Sequence, residues 1–243
     1  LEPKLSSYLT QIRSLSLPLT KEQLLTPGFL VEKEGDLEMY YSPHNESVNS
    51  EARVIIVGIT PGWTQMKTAY EEILNSVEME KSQSRLLQTA KAAGFSGSIR
   101  RNLIGMLDQI GLAECLNIES TLSLFHENRS LLHTTSVIKY PVFIDRQNYT
   151  GHKPALSQSN LLSCYAFKIF PEELNQIDPS AIVIPLGRTV ESVLLKLKEE
   201  HRISQTLLTG FPHPSGANGH RLKQFRQNKH EMTSTIRAWA DSE

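Results

Sequence analysis

Thr206-Leu207-Leu208-Thr209-Gly210-Phe211 runs directly into Pro212-His213-Pro214-Ser215-Gly216-Ala217-Asn218-Gly219-His220-Arg221, and a polar, basic segment follows. The apolar run reads as a strand and the segment from Arg221 as a helix. His213 therefore falls where a strand ends and a helix is about to begin. In open α/β sheets, ligands bind at the carboxyl ends of the strands. Pro212 and Pro214 fix their own φ and restrict the residues before them, so the loop is stiff. A stiff loop carrying a His, a Ser and an Asn suits a site whose donors must be held still.

A second stretch has the same form. Val54-Ile55-Ile56-Val57-Gly58-Ile59 is an apolar, β-branched run, and Thr60-Pro61-Gly62-Trp63 is the turn that ends it. Such a run reads as a buried parallel strand with its exit loop. Two further runs, at 133–140 and 181–186, complete four core strands. Helical patterns lie between them at 64–93, 98–110, 159–176 and 189–200, and the last helix covers 221–240. Strands alternating with helices predict an α/β fold with a parallel sheet covered on both faces.

The remaining segments are simpler. Residues 1–28 have helical character broken at Pro18 and Pro27, and residues 29–41, centred on Gly35-Asp36, read as a hairpin leading into the sheet. Ser98 is placed to cap the helix that Gly111 ends. Residues 142–154 read as a long polar loop carrying Asp145, Asn148, Tyr149 and His152, while 116–130 stays ambiguous.

At 243 residues the chain suits one domain better than two. It has no apolar run long enough to cross a bilayer and no signal-peptide pattern, so a cytoplasmic location is expected. Cys115 and Cys164 read as free thiols, too few for an iron–sulfur cluster; no metal or cofactor is expected. A net charge of −1 argues against indiscriminate nucleic-acid binding, so any DNA-binding face must be local. His220, Arg221, Lys223, Arg226, Lys229 and Arg237 make one such face, and Arg100-Arg101 another.

Gly58-Ile59-Thr60-Pro61-Gly62, the run Leu131-Leu132-His133-Thr134-Thr135-Ser136-Val137-Ile138-Lys139-Tyr140-Pro141, and His213-Pro214-Ser215 occur here in one order. In that order they resemble the uracil-DNA glycosylase superfamily, over roughly residues 50–240. The layout is similar to the iron–sulfur branch, without its cysteines. The resemblance implies a three-layer α/β/α sandwich around a mainly parallel four-stranded sheet of order 2-1-3-4. It implies one domain over 1–243, with 1–50 as an N-terminal helical and hairpin extension.

It also implies hydrolysis of an N-glycosidic bond in DNA. His213 is then the donor to the departing base. Thr60 stands where the superfamily's strongest members have Asp and others Asn. A hydroxyl is a feeble base at pH 7, which leaves three possibilities open: Thr60 only positions the water, Asp145 supplies the carboxylate, or activity is lost. Gly58, Ile59, Pro61, Gly62 and Trp63 would line the base pocket, with Trp63 equally a candidate for the core. Gly62 replaces the Tyr that walls off C5 in the uracil-specific branch, and Ser136 replaces its base-pairing Asn. A pocket open toward C5 is expected, and with it a modified pyrimidine, such as a hypermodified base of phage DNA. Ser215, Gly216, Asn218, His220, Arg221 and Arg100 are the expected DNA contacts. The loop after Ser215 has no large apolar wedge, which points to single-stranded or locally opened duplex DNA. A catalytically weak module that binds modified DNA, a repair enzyme for uracil, and a nucleotide or small-molecule hydrolase are the alternatives. No obligate protein partner is expected.

Overall fold

The computed structural model describes residues 4–77, 82–91, 94–95 and 97–242. Its strands are β1 (Leu30–Glu34), β2 (Leu37–Tyr40), β3 (Val54–Gly58), β4 (Leu132–Ser136), β5 (Val142–Ile144), β6 (Gln147–Asn148), β7 (Ile182–Pro185) and β8 (Thr206–Leu207). The helices begin with α1 (Leu5–Arg13), α2 (Lys21–Leu24), α3 (Trp63–Val77), α4 (Gln83–Lys91), α5 (Gly97–Gln109) and α6 (Leu112–Cys115). They continue with α7 (Asn160–Cys164), α8 (Phe170–Leu174), α9 (Arg188–Glu199) and α10 (Arg221–Ala240). No helix among the described residues is long and apolar enough to cross a membrane.

The chain forms two compact units, one of residues 1–48, 59–94 and 136–170, the other of 49–58, 95–135 and 171–243. The second is built on a four-stranded sheet of order β4-β3-β7-β8. In chain order that is second, first, third, fourth, the order the resemblance implies. β3 runs parallel to β7, pairing Val54 with Ile182 and Ile56 with Ile184, and β7 runs parallel to β8. Alternate residues point to opposite faces. Val54, Ile56, Ile182 and Ile184 thus share one face, in a core with Leu103, Met106 and Leu107 of α5 and Phe225, Met232, Ile236 and Trp239 of α10. The indole N–H of Trp239 donates to the Ser180 carbonyl at 2.6 Å and ties the end of α10 to the entry of β7.

Two expected strands are shorter than their apolar runs. The fourth is Thr206–Leu207, and Leu208 N–H adds one bond to the Val183 carbonyl at 2.9 Å before Gly210, at φ +80°, turns the chain. A Cβ there would lie 2.8 Å from the Asn228 amide, whose Nδ2 donates to the Gly210 carbonyl, so α10 holds this turn directly. The second strand ends at Ser136 instead of 140. Beyond it, Ile138 N–H donates to the Ile59 carbonyl at 2.8 Å.

The first unit corrects the reading of 29–41 and 142–154. The hairpin of β1 and β2 does not join the core sheet; it belongs to an antiparallel sheet of order β1-β2-β5-β6. The segment expected as a polar loop supplies β5 and β6, with Phe143 opposite Asn148 and Ile144 opposite Gln147. The turn between them is Asp145-Arg146, at φ +48° and +59°. Two successive positive φ angles match the twist of a two-residue hairpin, which Asn-Gly normally signals and Asp-Arg does not.

Tyr8 stacks on Tyr41 at 3.9 Å between ring centroids, and Phe29 meets Tyr70 edge-on at 5.3 Å. Among these rings the buried Glu46 carboxylate accepts from the Tyr140 hydroxyl and from the Lys4 backbone N–H. Burial raises the phenols of Tyr41, Tyr70 and Tyr140 far above their ordinary range, so they stay protonated donors.

The helix expected over 64–93 is two helices, α3 and α4; residues 78–81 and 92–93 lie outside the described residues, as do residues 1–3 of the first helical reading. Ser98 falls inside α5 and does not precede it, since the helix begins at Gly97. The reading of a break near Pro171 corresponds to a π-helical turn, Tyr165–Ile169, between α7 and α8. Pro171 has no N–H to return to the preceding turn.

Candidate active site

The sequence nominates two loops, one in each unit. The first leaves β3 at Gly58. Thr60 Oγ1 donates to the Tyr140 carbonyl at 2.9 Å. The proton of that hydroxyl is thereby committed, and what Thr60 can offer a ligand is lone-pair acceptor capacity. Gly62 N–H donates to Gln65 Oε1 at 3.0 Å, and Trp63 N–H donates to Asn148 Oδ1 at 2.9 Å. Pro61 is buried, while Gly62 and Trp63 keep part of their surface exposed. The Lys21 ammonium lies 6.0 Å from the Trp63 ring centroid and donates to the Arg146 carbonyl at 2.7 Å. Lys21 therefore joins the β5–β6 turn to the neighbourhood of Trp63. Asp145, beside Arg146, is exposed at the tip of that hairpin. Ser136 is buried at the last position of β4.

The second loop follows β8. The Ser215 backbone N–H donates to Nδ1 of His213 at 3.2 Å. A backbone N–H can only donate, so Nδ1 is the acceptor, and in the neutral ring the proton sits on Nε2. Burial lowers the His213 pKa below the ordinary histidine value, so the neutral ring dominates at pH 7. The loop is stitched on every side. Asn102 Nδ2, from α5, donates to the Pro214 carbonyl at 2.8 Å. Asn218 Nδ2 donates to the His213 carbonyl at 3.2 Å and to Gln224 Oε1 at 3.0 Å. Arg221 Nη1 donates to the Ser215 carbonyl at 2.8 Å. Gly187, the residue before α9, has φ +91°, and its backbone passes against His213.

The residues expected to contact DNA divide accordingly. Gly216 and His220 are exposed at the loop surface. Asn218 and Arg221 each spend part of their hydrogen-bonding capacity inside the loop, and Ser215 Oγ accepts from Ala217 N–H at 3.1 Å. Arg100 donates through Nε to the Phe95 carbonyl at 3.0 Å, and its guanidinium lies 4.8 Å from the Phe125 ring centroid. Three residues escaped the sequence reading. Asn148 was one of several loop polars, and Asn102 and Gly187 carried no signal beyond their residue type.

No known protein-family model matches the chain. It is 50% identical, over 238 residues, to the uncharacterized protein YoxB of Bacillus subtilis (strain 168), an alignment covering 97% of this chain and 93% of that protein. The chain belongs to the YoxB family. Membership extends over both units, because the alignment covers nearly the whole length of each protein. Among solved structures, the crystal structure of wild-type Pedobacter heparinus SMUG2 is similar at a TM-score of 0.47 and 12% identity, across 97% of each chain.

Proposed function

We propose that the protein is a DNA glycosylase of the uracil-DNA glycosylase type, a three-layer α/β/α enzyme working as one domain. It hydrolyses the N-glycosidic bond of an extruded pyrimidine modified at C5 and leaves an abasic site. The state of His213 carries this reading. When the C–N bond breaks, its electron pair leaves with the base, and the sugar gains oxocarbenium character. A fixed donor aimed at the developing negative charge is worth ~3 to 4 kcal/mol where one such donor has been removed. The neutral His213, with Nδ1 occupied by Ser215 N–H, offers one such donor at Nε2. The attacking water's oxygen joins C1′, and its proton passes to solvent or to the departed base. Thr60 Oγ1 accepts a hydrogen bond from that water and orients it, while Asp145 is the sequence's candidate for a carboxylate base. Gly58, Ile59, Pro61, Gly62, Trp63 and Ser136 form the pocket wall in this reading. Ser215, Gly216, Asn218, His220, Arg221 and Arg100 meet single-stranded or opened DNA. Hypermodified phage DNA is the substrate that would make the enzyme a defence protein.

Mass spectrometry of bases released from several natural DNAs, phage DNA with modified pyrimidines among them, tests the proposal. The wild type is expected to release a base and His213→Ala to lose at least a hundredfold of the rate, about the value of one such donor. Equal release by both removes His213 from the mechanism. A second reading, a module that binds modified DNA without cleaving it, is favoured by one observation: the Thr60 proton is already given to Tyr140. Tight binding with no abasic site on any modified oligonucleotide would select it.

A further inference from the structure

α5 carries Arg100, Ile104 and Asp108 along one side of the helix. Residues 120–129 are tied to that side at two points. At one end the Asp108 carboxylate accepts from Ser120 Oγ at 2.7 Å, from Thr121 Oγ1 at 2.7 Å and from Thr121 N–H at 2.8 Å. At the other the Arg100 guanidinium lies 4.8 Å from the Phe125 ring centroid, with its Nε committed to the Phe95 carbonyl. Asn128 then folds the chain back, its N–H donating to the Ser123 carbonyl and its Nδ2 to Ser123 Oγ, both at 2.9 Å. The next residue, Arg129, opens the short 3₁₀ turn that leads into β4. All of these residues belong to the second unit.

Arg129 and Arg100 are both half-buried. Burial lowers both pKa values below the ordinary arginine value, and the nearby Arg100 charge lowers that of Arg129 further. A guanidinium stays charged even so. Charges taken out of water are normally paired. Here Asp108 is spent on Ser120 and Thr121, Glu119 and Glu127 are exposed, and α5 has no acidic residue in its first turn. Among the described residues no carboxylate forms an ion pair with Arg129.

We propose that Arg129, with Arg100 beside it, binds a phosphate monoester: the 5′-terminal phosphate of a nucleic-acid strand, or free phosphate. A monoester carries roughly two negative charges at pH 7 and three strong acceptor oxygens, which suits two neighbouring guanidiniums. A carboxylate, or a phosphodiester inside a strand, brings a single charge and leaves one of the two cations uncompensated. The assignment makes no use of His213 and does not require glycosylase chemistry.

The experiment compares the wild type with Arg129→Gln, which keeps a polar side chain, and Arg129→Lys, which keeps the charge without the planar fork. Melting temperatures are read in inorganic phosphate and in potassium chloride of the same ionic strength. Binding is read by fluorescence anisotropy on one single-stranded oligonucleotide, labelled at its 3′ end and carrying either a 5′-phosphate or a 5′-hydroxyl. The wild type is expected to melt higher in phosphate and to prefer the 5′-phosphorylated strand by about ten- to hundredfold, the scale of one charged hydrogen bond. Arg129→Gln is expected to lose both effects without melting lower in chloride, and Arg129→Lys to keep only part of them. A phosphate response that Arg129→Gln removes, with no preference between the two strands, assigns the site to free phosphate. Undiminished effects in either variant overturn the assignment, and so does a wild type that responds to neither probe.

Discussion

A Cβ at Gly187 would lie 3.1 Å from the Cβ of His213 and 3.6 Å from its backbone nitrogen. Gly187 also holds φ +91° and ψ 168°, a region that residues with a side chain rarely enter. Its N–H donates to the Phe211 carbonyl at 3.1 Å, so this one glycine fixes both the start and the depth of the His213 loop. Gly187→Ala is expected to cost ~1 to 3 kcal/mol of stability from the backbone alone. It is also expected to lower base release well beyond what partial unfolding explains. Gly105→Ala, on the exposed side of α5 with nothing within 4 Å of the new Cβ, is the control and should leave both unchanged or raise the melting temperature slightly.

His213 and His44 give the protein an acid limit. Burial depresses both pKa values, that of His44 to about 3, with the Lys91 charge as a lesser cause. Above an unfolded value of about 6.5 both states are neutral at these rings and nothing is lost. As pH falls below that value the unfolded chain takes up protons that the folded one does not, and stability declines. Thermal melts between pH 7 and 5, above the range where the carboxylates titrate, should show this decline. His44→Gln should flatten it. A slope that His44→Gln leaves intact would assign the loss to other groups. Base release should persist to pH values below the ordinary histidine pKa and then fall, because a protonated His213 can no longer accept from Ser215 N–H.

The buried Glu46 holds the aromatic cluster of the first unit together. Removing its carboxylate strands the buried Tyr140 hydroxyl and frees the Lys4 N–H. Glu46→Ala should destabilise by about 1 to 3 kcal/mol, the usual cost of a buried polar group without a partner. Glu46→Gln keeps an acceptor of the same shape and should recover much of the loss in a urea titration.

For the proposed glycosylase, Asp145 is the position that tests how water would be activated. At φ +48° the position favours Asn as readily as Asp, so Asp145→Asn changes charge without disturbing the hairpin. If Thr60 and the donor to the base supply the acceleration, kcat should change less than about threefold. A hundredfold loss would transfer the general-base role to Asp145, since such a base contributes ~10² to 10⁴.

What the sequence disclosed follows from the range of the interactions involved. The runs Val54-Ile55-Ile56-Val57 and Ile182-Val183-Ile184 are apolar at every position because both faces of their strands are covered, and they can be read without coordinates. α10 begins at Arg221 and ends at Ala240, where the basic helical pattern begins and ends. The β5–β6 hairpin was invisible because its turn residues adopt positive φ without being Gly or Asn. Asn102 and Pro214 are 112 residues apart in the chain, and no local pattern announces a bond of that kind. Likewise Trp63 and Asn148, bonded to each other, are 85 residues apart, so the missing side chain at 62 could be read but not its polar neighbour.

Neither unit is a continuous piece of chain: the polypeptide crosses between them after residues 48, 58, 94, 135 and 170. No single cut in the gene yields either one whole. Truncation from the N-terminus would strip the first unit and truncation from the C-terminus the second, and recombination could not exchange either as a cassette. Inheritance therefore has to treat the whole length as one object.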